Sequence, residues 1–242
     1  MEPINRRNLL AQAYSLGSLA VATQNVDASS RKLKVVVTGG HPGDPEYGCG
    51  GTVARYSDLG HEVVLLSLNE GAPAGKPRDG VRIGEAERAC KILKAKALFA
   101  GQVDGESIVD RSHYEGFRKI LEPLKPDVVF THWPIDNHAD HRAMSMLVYD
   151  AWLRLGKRFA LYYYEVSNGE DTVQFSPTHY VDITSQEPRK RQACFAHVSQ
   201  APEKFYALQE QVTRMRGLER GCRHAESFIR HVQSPDFLLP LG

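Results

Sequence analysis

Short runs of β-branched and apolar residues alternate, between Lys34 and Val166, with longer stretches that carry apolar side chains at helical spacing. Such alternation predicts parallel strands joined by right-handed helical crossovers, with helices on both faces of one sheet. The predicted strands are Lys34–Thr38, Glu62–Leu68, Ala97–Ala100, Asp127–His132 and Phe159–Val166. The predicted helices are Gly48–Leu59, Val81–Lys94, Tyr114–Leu124 and Asp140–Arg154. The pattern therefore predicts an α/β fold that is doubly wound and Rossmann-like, with a mainly parallel sheet.

The pattern changes after Asn168, where one more strand and two helices are predicted. These elements are His179–Ile183, Glu187–Val198 and Pro202–Glu219. We expect them to form a C-terminal strand and helical subregion packed against the sheet, so that residues 32–242 make a single α/β domain. The Gly- and Pro-rich stretch Asn69–Gly80 is predicted to be a loop at the rim of a pocket.

Residues 1–31 differ from this domain and resemble an export signal followed by a linker. Arg6 and Arg7 precede a mildly apolar stretch that ends in Ala20-Val21-Ala22, a pattern typical of cleavage after a twin-arginine signal. The next residues, to position 31, are small and polar, as expected of a linker. The sequence therefore predicts export to the periplasm or the cell exterior. An amphipathic N-terminal helix packed on a cytoplasmic protein is the alternative.

Composition argues against several classes of partner. The 30 Lys and Arg residues balance 29 Asp and Glu residues, and no basic stripe is present, so nucleic acid is not an expected ligand. No segment has the ~20 apolar residues that a stable membrane span requires. The cysteines show no CxxC spacing, and Cys194 and Cys222 are candidates for a disulfide only in an exported protein. A small, mostly neutral molecule is the expected partner.

Two His/Asp clusters follow predicted strands and carry the strongest functional signal. The first is HPGDPE (His41–Glu46), directly beyond the first strand, and the second is DNHADH (Asp136–His141), beyond the fourth. Open α/β sheets build their sites at the carboxyl ends of strands, so the two clusters are expected to share one site.

Together the clusters contain the ligand types of a catalytic zinc site, which uses three protein ligands and one open position for water. His41, Asp44 and His141 supply two imidazoles and one carboxylate. His138 lies three residues before His141, so both project from one face of the first turn of the predicted helix. We therefore predict that Zn²⁺, or another divalent ion, binds here. Other histidines are expected to be ordinary packing or solvated residues, namely His61, His132 and His197.

The stretches TGGHPGDPEYGCGGTVARY and DNHADHRA resemble the PIG-L/LmbE-like family of zinc-dependent deacetylases, which act on N-acetylglucosamine-containing substrates. The resemblance extends over residues 34–231 through PRDGVRIGEAERACKIL, VDITSQEPRKRQACFAH and LERGCRHAESF. It implies that His41, Asp44 and His141 hold the metal, and that His138 stabilises the oxyanion or protonates the leaving amine. It also implies an N-acetylated sugar as substrate and assembly into a homo-oligomer.

One position departs from the family pattern. Where the family has an aspartate directly before the ligating aspartate, interpreted as the general base, this chain has Gly43. Glu46 is the nearest other carboxylate and is predicted to be catalytic in its place, while Asp140 is predicted to orient or polarise a histidine. A positioned base contributes about 10²–10⁴ in rate. Gly43→Asp is therefore expected to raise turnover, provided that Gly43 does not have a positive φ.

Two functions follow from these observations. The leading one is a metal-dependent amidohydrolase that removes an acetyl group from an N-acetylated sugar. The alternative, favoured by Gly43, is a weakly active or inactive family member that retains the metal and binds a sugar-like ligand. Nucleotide binding by the first Gly-rich loop is disfavoured because the G-x-G-x-x-G spacing is absent.

Overall fold

The computed structural model describes residues 31–73, 75, 80–236 and 239–240 of the chain. The predicted export signal and nearly all of the predicted linker lie outside the described residues, so the division of the chain at residue 31 remains a prediction. The strands and helices are β1 (Lys34–Gly39), α1 (Asp44–Asp58), β2 (Glu62–Pro73), α2 (Val81–Leu93), β3 (Lys96–Asp104), α3 (Arg111–Leu121), β4 (Val128–His132), α4 (Ala139–Arg154), β5 (Ala160–Tyr164), β6 (His179–Asp182), α5 (Glu187–Phe195), α6 (Pro202–Arg220) and β7 (Ala225–Arg230).

These strands form one sheet in the order β3-β2-β1-β4-β5-β7-β6. The five strands β1 to β5 are parallel, and β7 is antiparallel to both β5 and β6. The helices α1, α2 and α5 pack on one face around residues such as Val37 and Phe130, and α3 and α4 pack on the other around Val36 and Val129. The doubly wound α/β fold with its C-terminal subregion is thereby confirmed. No helix of the described residues is both long enough and apolar enough to cross a membrane.

The sheet extends further than predicted at β2 and β3 because polar residues also form strands there. β2 continues into the predicted loop Asn69–Gly80, and β3 continues past its predicted end at Ala100. The two strands pair there at Asn69 with Gln102 and at Pro73 with Asp104. Backbone hydrogen bonds, rather than apolar burial, stabilise this extension. It places Asp104 at the carboxyl end of β3.

Two further elements also differ from the prediction. α1 begins at Asp44 instead of Gly48, because Pro45 suits a first helical turn and the charges of Asp44 and Glu46 are favourable at a helix N-terminus. β7 was not predicted at all, because its segment AESFIR contains charged residues that the hydrophobic pattern does not recognise as buried.

α1 lies very close to β5 and to the segment after β6 because two of its glycines have no side chain. A Cβ on Gly48 would lie 2.2 Å from Cδ2 of Tyr164, and one on Gly51 would lie 2.5 Å from Cγ2 of Ile183. Both distances are far inside van der Waals contact, so only glycine fits at these positions. This packing fixes the helix whose first residue is Asp44.

A buried ion pair braces the same helix. The Lys190 side chain, which is fully buried, donates hydrogen bonds to the Glu226 carboxylate and to the Tyr47 carbonyl oxygen. Glu226 also accepts hydrogen bonds from the backbone N–H groups of Gly51 (2.8 Å) and Thr52 (2.7 Å). The pair therefore ties α1 to α5 and β7 and leaves neither buried charge without a partner.

All four cysteines are free thiols, so Cys194 and Cys222 do not pair.

Candidate active site

β1 and β4 are neighbours in the sheet, and the chain leaves their carboxyl ends toward opposite faces, to α1 and α4 respectively. A crevice opens between two such strand ends, and it is the place where open α/β sheets bind ligands. The cluster His41–Glu46 follows β1 and the cluster Asp136–His141 follows β4. Both predicted clusters therefore meet in this crevice.

The carboxylate of Asp44, the first residue of α1, lies at the centre of the site. Its Oδ2 accepts a hydrogen bond from the backbone N–H of His41 (2.8 Å). The same oxygen lies 3.2 Å from Nε2 of His132, 3.2 Å from Nε2 of His141 and 3.4 Å from Nδ1 of His41. Three imidazoles thus surround one carboxylate oxygen.

The rings of His41, His138 and His141 also converge. One nitrogen of each lies within 4.8 Å of the others, and the His138 ring centroid is 4.5 Å from that of His41 and 4.7 Å from that of His141. Two further carboxylates fix these rings. Asp140 Oδ2 is 3.0 Å from Nε2 of His41, and Asp136 Oδ1 is 3.1 Å from Nδ1 of His141. Carboxylates commonly orient metal-binding histidines in this way.

The electrostatics of the site favour a bound cation. Burial alone would lower the pKa of His141, but Asp44 and Asp136 raise this pKa to about 9. Burial alone would raise the pKa of Asp44, but His141 and His41 hold it well below its usual value. The carboxylates are therefore ionised and favour the charged forms of His141 and His41. A divalent cation would also supply positive charge beside these carboxylates, and imidazole and carboxylate groups are suitable ligands for it. These residues therefore fit Zn²⁺ or a similar ion.

The site opens into a cavity of about 350 Å³, near the lower end of the ~300–1,000 Å³ range typical of small-molecule sites. Four predicted site residues line it: His41, Asp44, His138 and His141. Asp140 is fully buried, and its Oδ2 accepts hydrogen bonds from the Asn69 amide (3.2 Å) and the Gly105 backbone N–H (2.9 Å), besides contacting His41. Asp140 is thus placed to orient His41, as its sequence prediction requires.

Glu46 lies behind the wall of the pocket. Its Oε1 is 3.0 Å from Nε2 of His197, and among the described residues the His197 ring, not Glu46, lines the cavity. Glu46 is therefore placed to orient His197. Because Glu46 does not line the cavity, its role as catalytic base remains a prediction.

Three residues outside the clusters also belong to the site. His132, the last residue of β4, is fully buried and stacks on His141 with ring centroids 3.9 Å apart. Asp104, the last residue of β3, has Oδ1 3.1 Å from Nε2 of His41. Both occupy strand ends, so the rule that identified the clusters applies to them as well. His197 has no such signal, because it reaches the pocket from the segment after α5.

Residues 36–152 match the PIG-L family, described as GlcNAc-PI de-N-acetylase. The diacetylchitobiose deacetylase of Thermococcus kodakarensis is 29% identical over 222 residues, which cover 82% of this chain and 83% of that protein. Residues 36–152 therefore form a PIG-L domain.

Solved structures share the fold over most of their length. The conserved protein TT1542 from Thermus thermophilus has a TM-score of 0.74 and 26% identity, covering 85% of this chain and 97% of its own. The N,N'-diacetylchitobiose deacetylase from Pyrococcus horikoshii has a TM-score of 0.71 and 24% identity, covering 96% of this chain and 95% of its own. The resemblance inferred from the two sequence motifs is confirmed.

Gly43 lies within the residues that match PIG-L and is the position at which the sequence departs from the family motif. Its φ is +110° and its ψ is −39°, a conformation that residues with a Cβ rarely adopt. Space is not the obstacle, since the nearest atoms to a Cβ would be those of the His197 ring, 3.8 Å away. The positive φ removes the condition on which a gain from Gly43→Asp depended, so that expectation does not hold.

We expect Gly43→Asp to lower the free energy of unfolding by about 1–3 kcal/mol, the usual cost of a strained backbone conformation, and to give no gain in turnover. Urea unfolding, zinc content and kcat/KM on an N-acetylated sugar measure these effects. Gly43→Ala is the matched control, because it imposes the same backbone strain without a carboxylate. Parental stability together with a higher kcat/KM in Gly43→Asp than in Gly43→Ala would contradict this prediction.

Proposed function

We propose that the protein is a Zn²⁺-dependent N-deacetylase that removes an acetyl group from a small N-acetylated sugar of the N-acetylglucosamine type. The observation that carries the proposal is the convergence of His41, Asp44, His138 and His141 on one pocket of a PIG-L chain. The diacetylchitobiose deacetylase among its relatives supports the same reaction class.

The metal would be held by His41, Asp44 and His141, and when bound it supplies Lewis-acid polarisation of the acetyl carbonyl and a more acidic water. His138 has a defined tautomer, because its Nδ1 accepts the backbone N–H of Asp140 (3.3 Å) and the ring proton is therefore on Nε2. That N–H can donate a hydrogen bond that stabilises negative charge on the carbonyl oxygen. Asp140 and Asp136 keep the neighbouring rings in place through their contacts with His41 and His141.

The remainder of the pocket suits a sugar. The guanidinium of Arg82 lines the cavity and is held there by a hydrogen bond to the Pro42 carbonyl oxygen (2.7 Å). It can present further N–H donors to substrate oxygens. The rings of Tyr47 and Phe205 add aromatic surface, and Phe205 is 46% exposed. A few polar donors among aromatic rings are typical of sites for small polar molecules.

The proposal is tested by measuring acetate release from N-acetylglucosamine, N-acetylgalactosamine and diacetylchitobiose by zinc-loaded protein. N-acetyllysine is the control substrate, since it has the same amide but no sugar ring. We expect acetate from at least one of the sugars, with little from N-acetyllysine. Full zinc occupancy with no acetate from any sugar would contradict the proposed activity.

The alternative is a family member that retains the metal and binds a sugar with little turnover, and the observation that favours it is Gly43 in place of the motif aspartate. Calorimetric titration with glucosamine and N-acetylglucosamine distinguishes the two functions. Binding of both sugars without acetate release would support the alternative.

We also propose that residues 1–31 direct export, and that the exported protein forms a homo-oligomer. Replacing Arg6 and Arg7 by lysine is expected to leave the protein in the cytoplasm, because twin-arginine signals require the arginine pair. N-terminal sequencing of protein from the cell exterior should give a start near Thr23, and sedimentation gives the assembly state. An intact Met1 on exported protein would contradict cleavage.

A further inference from the structure

With Gly43 at the motif position, the pocket needs another group to accept a proton from the attacking water. Four carboxylates line the cavity among the described residues, those of Asp44, Asp104, Glu170 and Asp171. Asp44 is surrounded by histidines, and Asp104 pairs with His41 at 3.1 Å and with Arg82 at 3.9 Å. Neither is available as a base, because each already stabilises a positively charged or metal-binding group.

Asp171 and Glu170 belong to the irregular segment between β5 and β6. Glu170 is exposed, so its carboxylate is solvated by bulk water, whereas Asp171 is half-buried. No side-chain hydrogen bond or ion pair within the described residues engages the Asp171 carboxylate. Of the four lining residues with carboxylates in the described part of the chain, Asp171 is thus the one that is partly shielded from water and whose carboxylate has no hydrogen-bond or ion-pair partner.

The backbone of this segment is attached to the loop that carries His138. The N–H of Asn137 donates to the carbonyl oxygen of Asp171 (2.8 Å), and the hydroxyl of Thr172 donates to Oδ2 of Asp136 (2.9 Å). Asp136 and Thr172 also form an antiparallel bridge. The backbone of Asp171 is therefore held beside Asn137, the residue that precedes His138.

We propose that the Asp171 carboxylate is the catalytic base that compensates for Gly43, an inference that rests on the proposed deacetylase function. The water oxygen bonds to the acetyl carbon while one of its protons passes to Asp171. The C–N bond then breaks, and the nitrogen takes the proton that Asp171 accepted and leaves as an amine. The acetyl group leaves as acetic acid, which ionises in solution, so atoms and charge balance.

The environment of Asp171 suits this task. The pKa of Asp171 is raised to about 6, mainly by burial; His141 acts to lower this pKa, and Asp136, Asp44 and Glu170 act to raise it. A carboxyl with this pKa is mostly ionised at pH 7 and is a stronger base than an ordinary aspartate. Efficient general bases have pKa values close to the working pH.

The test compares Asp171→Asn and Asp171→Ala with the parent, using zinc content, glucosamine binding and kcat/KM. Asp150→Asn is the control, because Asp150 lies on α4 outside the pocket lining and its ion-pair partner is Arg154 on the same helix. We expect both Asp171 variants to lose about 10²–10⁴ in kcat/KM with full zinc and unchanged glucosamine affinity. Formate is expected to restore part of the rate in Asp171→Ala, since it can occupy the vacated space as a carboxylate.

The outcomes separate this inference from the function on which it rests. An active parent with Asp171→Asn within threefold of it would overturn the role of Asp171 and leave the deacetylase function standing. A loss of zinc or of glucosamine affinity in both variants, without rescue by formate, would make Asp171 structural and would also overturn the role. A zinc-loaded parent without activity would overturn the proposed function and this inference with it.

Discussion

His141→Ala should reduce bound zinc from about one ion per chain to near zero and lower acetate release roughly 10³-fold or more. The imidazole of His141 is one of three predicted ligands, and its Nε2 lies 3.2 Å from the Asp44 carboxylate. Without it, one histidine and one carboxylate remain, which is too few for a catalytic zinc site. Losing the several kcal/mol that a Lewis acid contributes to the transition state corresponds to a rate loss of this size.

His113→Ala is the matched control for this measurement, since His113 lies on α3 and its hydrogen-bond partners are Asp110 and Ser112 at the start of that helix. Elemental analysis of both purified variants, beside circular dichroism to show that they are folded, gives the result. Parental zinc content in folded His141→Ala protein would show that the ligand assignment is wrong.

The largest effect on stability is expected from Lys190→Met, at about 3–5 kcal/mol in the free energy of unfolding. Both side chains of the Lys190–Glu226 pair are almost completely buried, at 0% and 1% exposure. Removing the lysine leaves the Glu226 charge buried, with the N–H groups of Gly51 and Thr52 as its remaining partners. An uncompensated buried charge is among the most destabilising changes known in protein interiors.

Arg189→Met provides the neighbouring comparison, because Arg189 pairs with Asp58 near the protein surface. Such exposed pairs contribute ~0–1 kcal/mol, so this variant should unfold close to the parent. Urea unfolding of both variants measures the difference. A cost below about 1 kcal/mol for Lys190→Met would show that the pair does not brace α1.

The sequence was sufficient to predict the parallel strands of the sheet and to place the candidate metal ligands at one site, because both depend on local signals. Apolar runs define β1 and β4, and a topology rule brings the residues after two such strands together. His41, Asp44 and His141 follow from that rule and from their chemistry as ligands. The same rule applies to His132 and Asp104. His132 stands alone in the sequence, outside both clusters. Asp104 ends a part of β3 that is too polar for the hydrophobic pattern to reveal.

The remaining features depend on packing that no local pattern encodes. His197 reaches the pocket from the segment after α5. Asp171 reaches it from an irregular segment that is fixed by hydrogen bonds to the loop that carries His138. The positive φ of Gly43 depends on how the chain turns from β1 into α1. Glu226 makes its strand look polar and exposed in the sequence. Its charge is neutralised by Lys190, which is 36 residues away in the sequence and so is not part of any local pattern.

We propose that one metal ion in this site is needed for deacetylation, and a zinc titration of chelated protein is the most direct test. Bound zinc and acetate release from the best N-acetylated sugar are measured on the same samples, with the folded His141→Ala protein titrated in parallel. We expect both quantities to rise together and saturate at about one zinc per chain in the parent, and neither to rise in His141→Ala. Acetate release that is already maximal in the metal-free parent, or zinc binding to His141→Ala equal to that of the parent, would contradict it.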